Sequence, residues 1–159
     1  MPGARATPER GSVMPVAFRN VDASPSDPVQ TWPYEALVTV LERGLVADWQ
    51  PVFAEVRRQP WGNVARRIDE YLAYAAPDAV NVLFRLAIDR ARTVQEQRER
   101  LEVSNRVRAA IAASGMTASE FARQVGTSAS RLSTYASGTV IPSATMLLRI
   151  ERHAGVTPK

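Results

Sequence analysis

Residues 117–138, TASEFARQVGTSASRLSTYASG, decide the fold of the last third of the chain. Thr117 and Glu120 stand three positions apart ahead of an apolar residue, which is the arrangement of a capping box at the start of a helix. Gly126 is a natural end for that helix, and Ser128 is a natural cap for the next one. The stretch therefore predicts two short helices joined by a tight turn.

Both predicted helices carry apolar residues at the spacing of a shared core. We expect the inward-facing side chains to be Phe121, Ala122, Val125, Leu132 and Tyr135. A small residue at position 122 lets the second helix approach closely, and glycine at position 126 can adopt the positive φ that the turn needs. Gly138 is the expected end of the second helix.

Two further helices are expected to flank this pair. The first should span about residues 101–113, and the second should begin after Ser143, which can cap it. Their expected inward-facing residues are Leu101, Val107, Ile111, Met146, Leu147 and Ile150.

Together these features resemble the helix-turn-helix domain of the lambda-repressor and Cro-like family of bacterial regulators, also called the xenobiotic response element family. The resemblance covers residues 103–154, with Ala122 where the two helices cross and Gly126 four positions later in the turn. It implies that residues 101–159 form a DNA-binding domain. It also implies that the protein is a sequence-specific transcriptional regulator, in the manner of a repressor, that binds double-stranded DNA.

Three positions depart from the family's pattern. Ala118 stands where many members have a Gln that reaches a phosphate, Thr127 replaces Val or Ile, and Ala136 replaces a frequent Glu. The first change removes one expected contact with the DNA backbone. We therefore expect modest affinity unless dimerisation adds to it.

The resemblance implies that the third helix of the domain, residues 128–138, enters the major groove. Carried over position by position, the DNA-binding residues are Thr127, Ser128, Ala129, Ser130, Arg131, Ser133, Thr134 and Thr139. Arg131 is the only long donor among them, and it can fork onto the N7 and O6 atoms of guanine or clamp a phosphate. Specificity is expected to come from few direct contacts, from DNA shape, and from two copies on a palindrome.

The fold predicted for the whole chain is all-α. Residues 1–28 hold five of the eleven prolines and predict a disordered arm, within which Met14 is an alternative start. Residues 29–100 predict a helical domain for dimerisation or sensing, in which Thr31 caps the first helix and Asp48 caps the second. Its aromatic residues have core spacing, which favours packing over a stacking platform for single strands.

A fourth helix is expected to open at Pro77 and to continue as a polar connector into the C-terminal domain. Val80, Ala87, Val94 and Leu101 recur at intervals of seven, which is typical of a coiled-coil seam between two copies. Packing of this helix on its own domain explains the first half of the pattern equally well.

Composition excludes several classes of site. The chain has no cysteine, and His153 is its only histidine, so we expect no metal, no cofactor and no enzymatic activity. Residues 1–100 balance thirteen Arg against thirteen acids, whereas residues 101–159 hold six Arg and one Lys against three acids. The net charge of +4 therefore lies in the final third, as a polyanionic partner requires. No apolar run of about eighteen residues predicts a membrane span, and we expect a cytoplasmic protein.

The sequence is also compatible with two other functions. The protein could be an antitoxin whose residues 29–100 bind a protein partner while the C-terminal domain represses its own operon. It could also be a scaffold whose helix-turn-helix has lost DNA binding. The favoured prediction is a homodimeric DNA-binding regulator.

Overall fold

The computed structural model describes residues 16–19 and 21–155, and all regular structure within these residues is helical. A short 3-10 helix, Val29–Thr31, precedes seven α-helices in the described residues, which confirms the all-α prediction. They are α1 (Tyr34–Arg43), α2 (Val46–Arg58), α3 (Asn63–Leu72), α4 (Ala79–Ala113), α5 (Ala118–Gln124), α6 (Ala129–Ala136) and α7 (Ala144–His153). The chain divides into two units, Met1–Arg92 and Thr93–Lys159, so the boundary lies eight residues before the expected one.

The first unit has its own apolar core. Helices α1, α2, α3 and the start of α4 supply most of it, and its largest fully buried side chains include Leu37, Ile68, Phe84 and Ile88. Phe84 stacks on Phe53 with ring centroids 4.7 Å apart. The prediction that the aromatic residues lie in the core is therefore confirmed for Trp32 and Phe84, which are buried. It is wrong for Trp61 and Tyr74, which are 49% and 94% exposed.

The segment ahead of the first helix differs from the expected arm. Phe18 meets Trp32 edge-to-face at 5.2 Å, and Val16 and Val21 also pack against the core. The indole of Trp32 donates to the carbonyl of Asp27 at 3.0 Å. The described part of residues 16–28 is therefore packed on the first unit through its few apolar side chains. The rest of the predicted arm, residues 1–15, lies outside the described residues, as does residue 20.

The predicted caps of the first two helices were wrong. Thr31 belongs to the 3-10 helix, where its hydroxyl donates to the carbonyl of Pro28, and α1 begins only after Pro33. Asp48 is the third residue of α2, and its carboxylate accepts the backbone N–H of Leu45 at 2.8 Å. In both places the polar side chain does form a hydrogen bond with a backbone group. However, Thr31 and Asp48 are themselves helical residues and do not occupy the capping position before the helix.

Helix α4 runs for 35 residues through the boundary between the units. The connector and the helix expected at residues 101–113 are thus one element. Leu101 was expected to face inward, but it is 58% exposed, and Ser104 is buried instead. The reason is helical periodicity. Leu101, six positions before Val107, lies about 120° away from it around the helix, whereas Ser104, three positions before Val107, lies on nearly the same face. No described helix is both long enough and apolar enough to cross a membrane.

Replacing Phe18 with alanine should lower the stability of the first unit by about 1–2 kcal/mol, because a half-buried ring is lost from the core. Denaturant titration followed by tryptophan fluorescence measures this, since all three tryptophans lie in that unit. Arg19→Ala, at the exposed neighbouring position, is the control. Equal stabilities for the two variants would show that the segment contributes nothing.

Candidate nucleic-acid interface

The second unit is built around α5 and α6. Its buried core contains the five residues expected between these helices, together with Val107, Ala110 and Ile150 from the flanking ones. Met146, Leu147 and Ile111 pack against it while partly buried. The inward-facing residues expected from spacing are therefore confirmed apart from Leu101.

The turn between α5 and α6 depends on Gly126, whose φ is +75°. Its N–H bonds the carbonyl of Arg123 at 3.2 Å, and the N–H of Thr127 bonds that of Ala122 at 2.9 Å. This pair of bonds is a Schellman motif, which requires the left-handed conformation at the glycine. Arg149 from α7 closes the turn by donating to the carbonyl of Val125 at 3.2 Å. A non-glycine residue at 126 would be strained, and its Cβ would also lie 3.2 Å from the Arg149 guanidinium.

The expected caps of the second unit are present. Thr117 and Glu120 form a reciprocal capping box, in which the Thr117 N–H donates to the carboxylate at 3.0 Å and the Glu120 N–H donates to the threonine hydroxyl at 3.3 Å. Ser128 accepts the N–H of Arg131 at 3.1 Å, and Ser143 accepts that of Met146 at 3.2 Å. Local hydrogen bonds thus set where α5, α6 and α7 begin.

Helix α6 ends two residues earlier than expected, at Ala136, and carries most of the predicted DNA-binding residues. Exposed positions are Ser128, Ala129, Ser130, Arg131, Ser133 and Thr139, whereas Thr127 and Thr134 are half-buried. The hydroxyl of Thr134 donates to the carbonyl of Arg131 at 2.7 Å. Thr139 shares a hydrogen bond of 2.8 Å with the hydroxyl of Ser137. The hydroxyl of Thr134 is therefore already engaged within α6, and the accessible positions are the first turn of α6, Ser133 and Thr139.

Arg131 is held by Tyr135, one turn further along α6. Its Nε donates to the tyrosine hydroxyl at 2.9 Å, and the tyrosine ring is only 5% exposed. Because Nε is engaged, Nη1 and Nη2 are the nitrogens that remain for a ligand. Tyr135 was expected only as a core residue, although the spacing of four between Arg131 and Tyr135 is one at which helical side chains meet.

Two arginines of α4 contact the carboxyl end of α6. Arg108 donates to the carbonyl of Ala136 at 3.2 Å, and Arg100 donates to that of Gly138 at 3.4 Å. Positive charge at this end of a helix interacts favourably with the negative end of the helix dipole. Sequence reasoning missed both contacts, although the two arginines are eight positions apart and so share one face of α4 with Ser104.

Part of the positive charge in the final third is thus used inside the unit. Arg106 forms an ion pair at 2.6 Å with Glu151, which is 4% exposed. Arg108 and Arg149 bind carbonyl groups at helix ends. All six arginines of residues 101–159 are exposed, but Arg106, Arg108 and Arg149 already have partners within the unit.

A family model described as Helix-turn-helix matches residues 107–159, about a third of the chain. The match covers the end of α4 and all of α5, α6 and α7. It confirms the resemblance to lambda-repressor and Cro-like domains for this part of the chain. Comparisons with curated proteins and with solved structures gave no match. The C-terminal unit therefore contains a helix-turn-helix domain, a type of domain that binds DNA.

Acid should loosen the start of α5. The pKa of Glu120 lies below its ordinary value of 4.5, first because the Thr117 side chain donates to it and then because the Thr117 backbone does. A carboxyl group whose pKa is lowered on folding stabilises the fold fully at pH values above its unfolded-state pKa. That stabilisation is lost as the pH falls through its folded-state pKa. The amide protection factors of residues 118–124 should therefore drop between about pH 6 and about pH 3.

Glu120→Gln is the matched variant for this measurement, because it keeps an acceptor for the Thr117 N–H but does not titrate. Its protection in α5 should change less over the same pH range than that of the unaltered protein. If both proteins lose protection equally, the effect comes from other carboxylates.

Proposed function

We propose that this protein is a sequence-specific regulator of transcription that binds double-stranded DNA with α6 in the major groove. The observation that carries the proposal is the Arg131 side chain, exposed on the first turns of α6 and held there by Tyr135. A guanidinium restrained through Nε loses less freedom on binding and presents Nη1 and Nη2 together. That geometry favours bidentate contact with guanine N7 and O6.

The remaining contacts belong mainly to the DNA backbone. Thr127 and Ser128 lie at the amino end of α6, where backbone N–H groups and the helix dipole favour a phosphate. Ser130, Ser133 and Thr139 can donate to phosphates or base edges, and Ala129 offers a methyl group to thymine. Thr134 is the weakest member of the predicted set, because its hydroxyl already donates to a carbonyl within α6. Specificity then depends on Arg131 together with DNA shape.

Two copies on a palindrome are part of this proposal, since one copy makes few base contacts. The first unit is the candidate for holding them together. On α4, Val82, Leu83 and Leu86 are 47%, 43% and 61% exposed and share one face of the helix. An exposed apolar face supports a protein partner, and we take that partner to be a second copy.

The same apolar face also supports the second candidate, an antitoxin that neutralises a protein partner and represses its own operon. The two functions predict different complexes. A homodimer of the purified chain in light scattering supports the regulator, whereas a monomer that copurifies with the product of a neighbouring gene supports the antitoxin.

Arg131→Ala should abolish the specific complex at moderate salt, because a bidentate arginine contributes about 1–3 kcal/mol of discrimination per copy. The measurement is a mobility-shift titration with a DNA fragment selected from random sequence by the unaltered protein. Its affinity should also fall steeply as salt rises, since phosphate contacts release counterions.

Arg152→Ala is the charge-matched control, because it removes an exposed arginine from α7 instead of α6. It should keep the sequence preference. The role of Arg131 is refuted if the R131A protein still shifts the selected fragment and not a scrambled one.

Tyr135→Phe should weaken specific binding by roughly 2- to 10-fold, because one hydrogen bond that orients Arg131 is lost while the ring still fills the core. Binding to scrambled DNA should not change, since the number of positive charges is the same. Thermal unfolding of the variant shows whether the core is intact. A normal affinity for the selected fragment would mean that the hydroxyl does not position the arginine.

A further inference from the structure

The first unit contains a groove that the DNA-binding proposal does not use. It lies between α1, the end of α3 and the start of α4, and its volume is about 530 Å³. Sites for small organic molecules occupy about 300–1,000 Å³. The groove therefore has the size of a small-molecule site.

The walls of the groove are aromatic and acidic. Its lining residues are Tyr34, Leu41, Glu42, Tyr71, Tyr74, Ala75, Ala76, Asp78, Val80 and Asn81. They include three tyrosines and two carboxylates, and no Arg, Lys or His among the described residues lines it. Such a surface attracts cations, because carboxylates and the faces of aromatic rings are both electron-rich. It disfavours anions and phosphates.

The two carboxylates have spare acceptor capacity. Glu42 accepts the hydroxyl of Tyr71 at 3.4 Å, which is a long hydrogen bond. Asp78 accepts the backbone N–H of Asn81 through Oδ1 at 2.7 Å and so caps α4 with one of its two oxygens. A carboxylate can accept about four hydrogen bonds, so each retains sites for an ammonium group.

Both carboxylates act on the same tyrosine of the groove. The pKa of Tyr71 is raised above its ordinary value of 10.0, first by desolvation, then by the charge of Glu42 and its hydrogen bond, and then by the charge of Asp78. The Asn81 side chain acts in the opposite direction. Negative charge from Glu42 of α1 and from Asp78, just before α4, therefore acts on the Tyr71 hydroxyl.

We propose that this groove binds an organic cation, namely a primary ammonium group on a short apolar or aromatic body. The ammonium group lies between Glu42 and Asp78, where it can donate to both carboxylates. The body lies against the tyrosine rings and the small apolar residues Ala76 and Val80. A resident divalent metal fits less well, because the groove offers two carboxylates and no cluster of three or more His, Cys, Asp or Glu occurs in the described residues.

The inference does not depend on DNA binding, because every lining residue belongs to the first unit. It names a class of ligand for the sensing role that was expected of that unit. It also gives a ligand-binding role to Tyr34, Glu42 and Asp78, for which the sequence had suggested no function.

Calorimetric titration of the full chain with phenethylammonium at neutral pH tests the proposal. We expect saturable binding at one site per chain, which weakens as sodium chloride is added. The uncharged isostere 2-phenylethanol should bind at least 10-fold more weakly, because it keeps the aromatic body and lacks the charge.

A double variant, Glu42→Gln with Asp78→Asn, should reduce phenethylammonium affinity at least 10-fold. Asn at position 78 keeps an oxygen that can accept the Asn81 N–H, so the start of α4 is preserved. Glu70→Gln is the control, because it removes an exposed acid of α3 that does not line the groove. Circular dichroism establishes that each variant is folded.

Three results would overturn the proposal. They are the absence of saturable binding, equal affinity for the charged and uncharged probes, and an equal loss in the Glu70→Gln protein. The last would mean that the probe responds to net charge alone. None of them bears on DNA binding, which the Arg131→Ala titration tests separately.

Discussion

The left-handed backbone at Gly126 is the constraint on which the C-terminal unit depends. With φ at +75°, the chain closes a Schellman motif on α5 and reaches Ser128, the cap of α6, two residues later. That short connection brings the two helices together around one buried core, to which Ala122 and Leu132 both belong. It also fixes Ser128 as the cap of α6, and therefore which side chains of that helix face outward. Few substitutions at position 126 are compatible with this geometry, because other residues seldom adopt positive φ.

The arginines of this unit divide into two roles that their charge does not reveal. Arg106, Arg108 and Arg149 contact groups inside the unit, where they pair a buried carboxylate or satisfy carbonyls at helix ends. Arg131 is exposed but restrained by a buried phenol. A guanidinium has five donors in a planar fork, so one nitrogen can anchor the side chain while others bind a ligand. In the proposed complex with DNA, this restraint reduces the side-chain entropy that Arg131 loses on binding.

The first unit combines an ordinary helical core with two unpartnered features. The exposed apolar face of α4 and the acidic, aromatic groove lie on different sets of residues, so a protein partner and a small cation need not compete. Both involve α4, whose buried residues also serve the second core at Val107 and Ala110. Its 35 residues form one continuous helix, and the boundary between the units lies within that helix.

Local patterns were sufficient to predict the helices of the second unit, its caps and its inward face, because capping boxes, glycine turns and helical periodicity act within a few residues. They failed where the outcome depends on distant residues. The described part of residues 16–28 packs on the first unit because Phe18 meets Trp32. Leu101 is a different error, because helical periodicity itself places it about 120° around α4 from Val107 and leaves it exposed. The hydrogen bond from Arg131 to Tyr135 is local to α6, but only the structure shows that it forms. The contacts of the α4 arginines with the end of α6, and the groove between α1, α3 and α4, arise from helices that converge in space. Short-range patterns carry no information about such convergence, so these features required the tertiary structure.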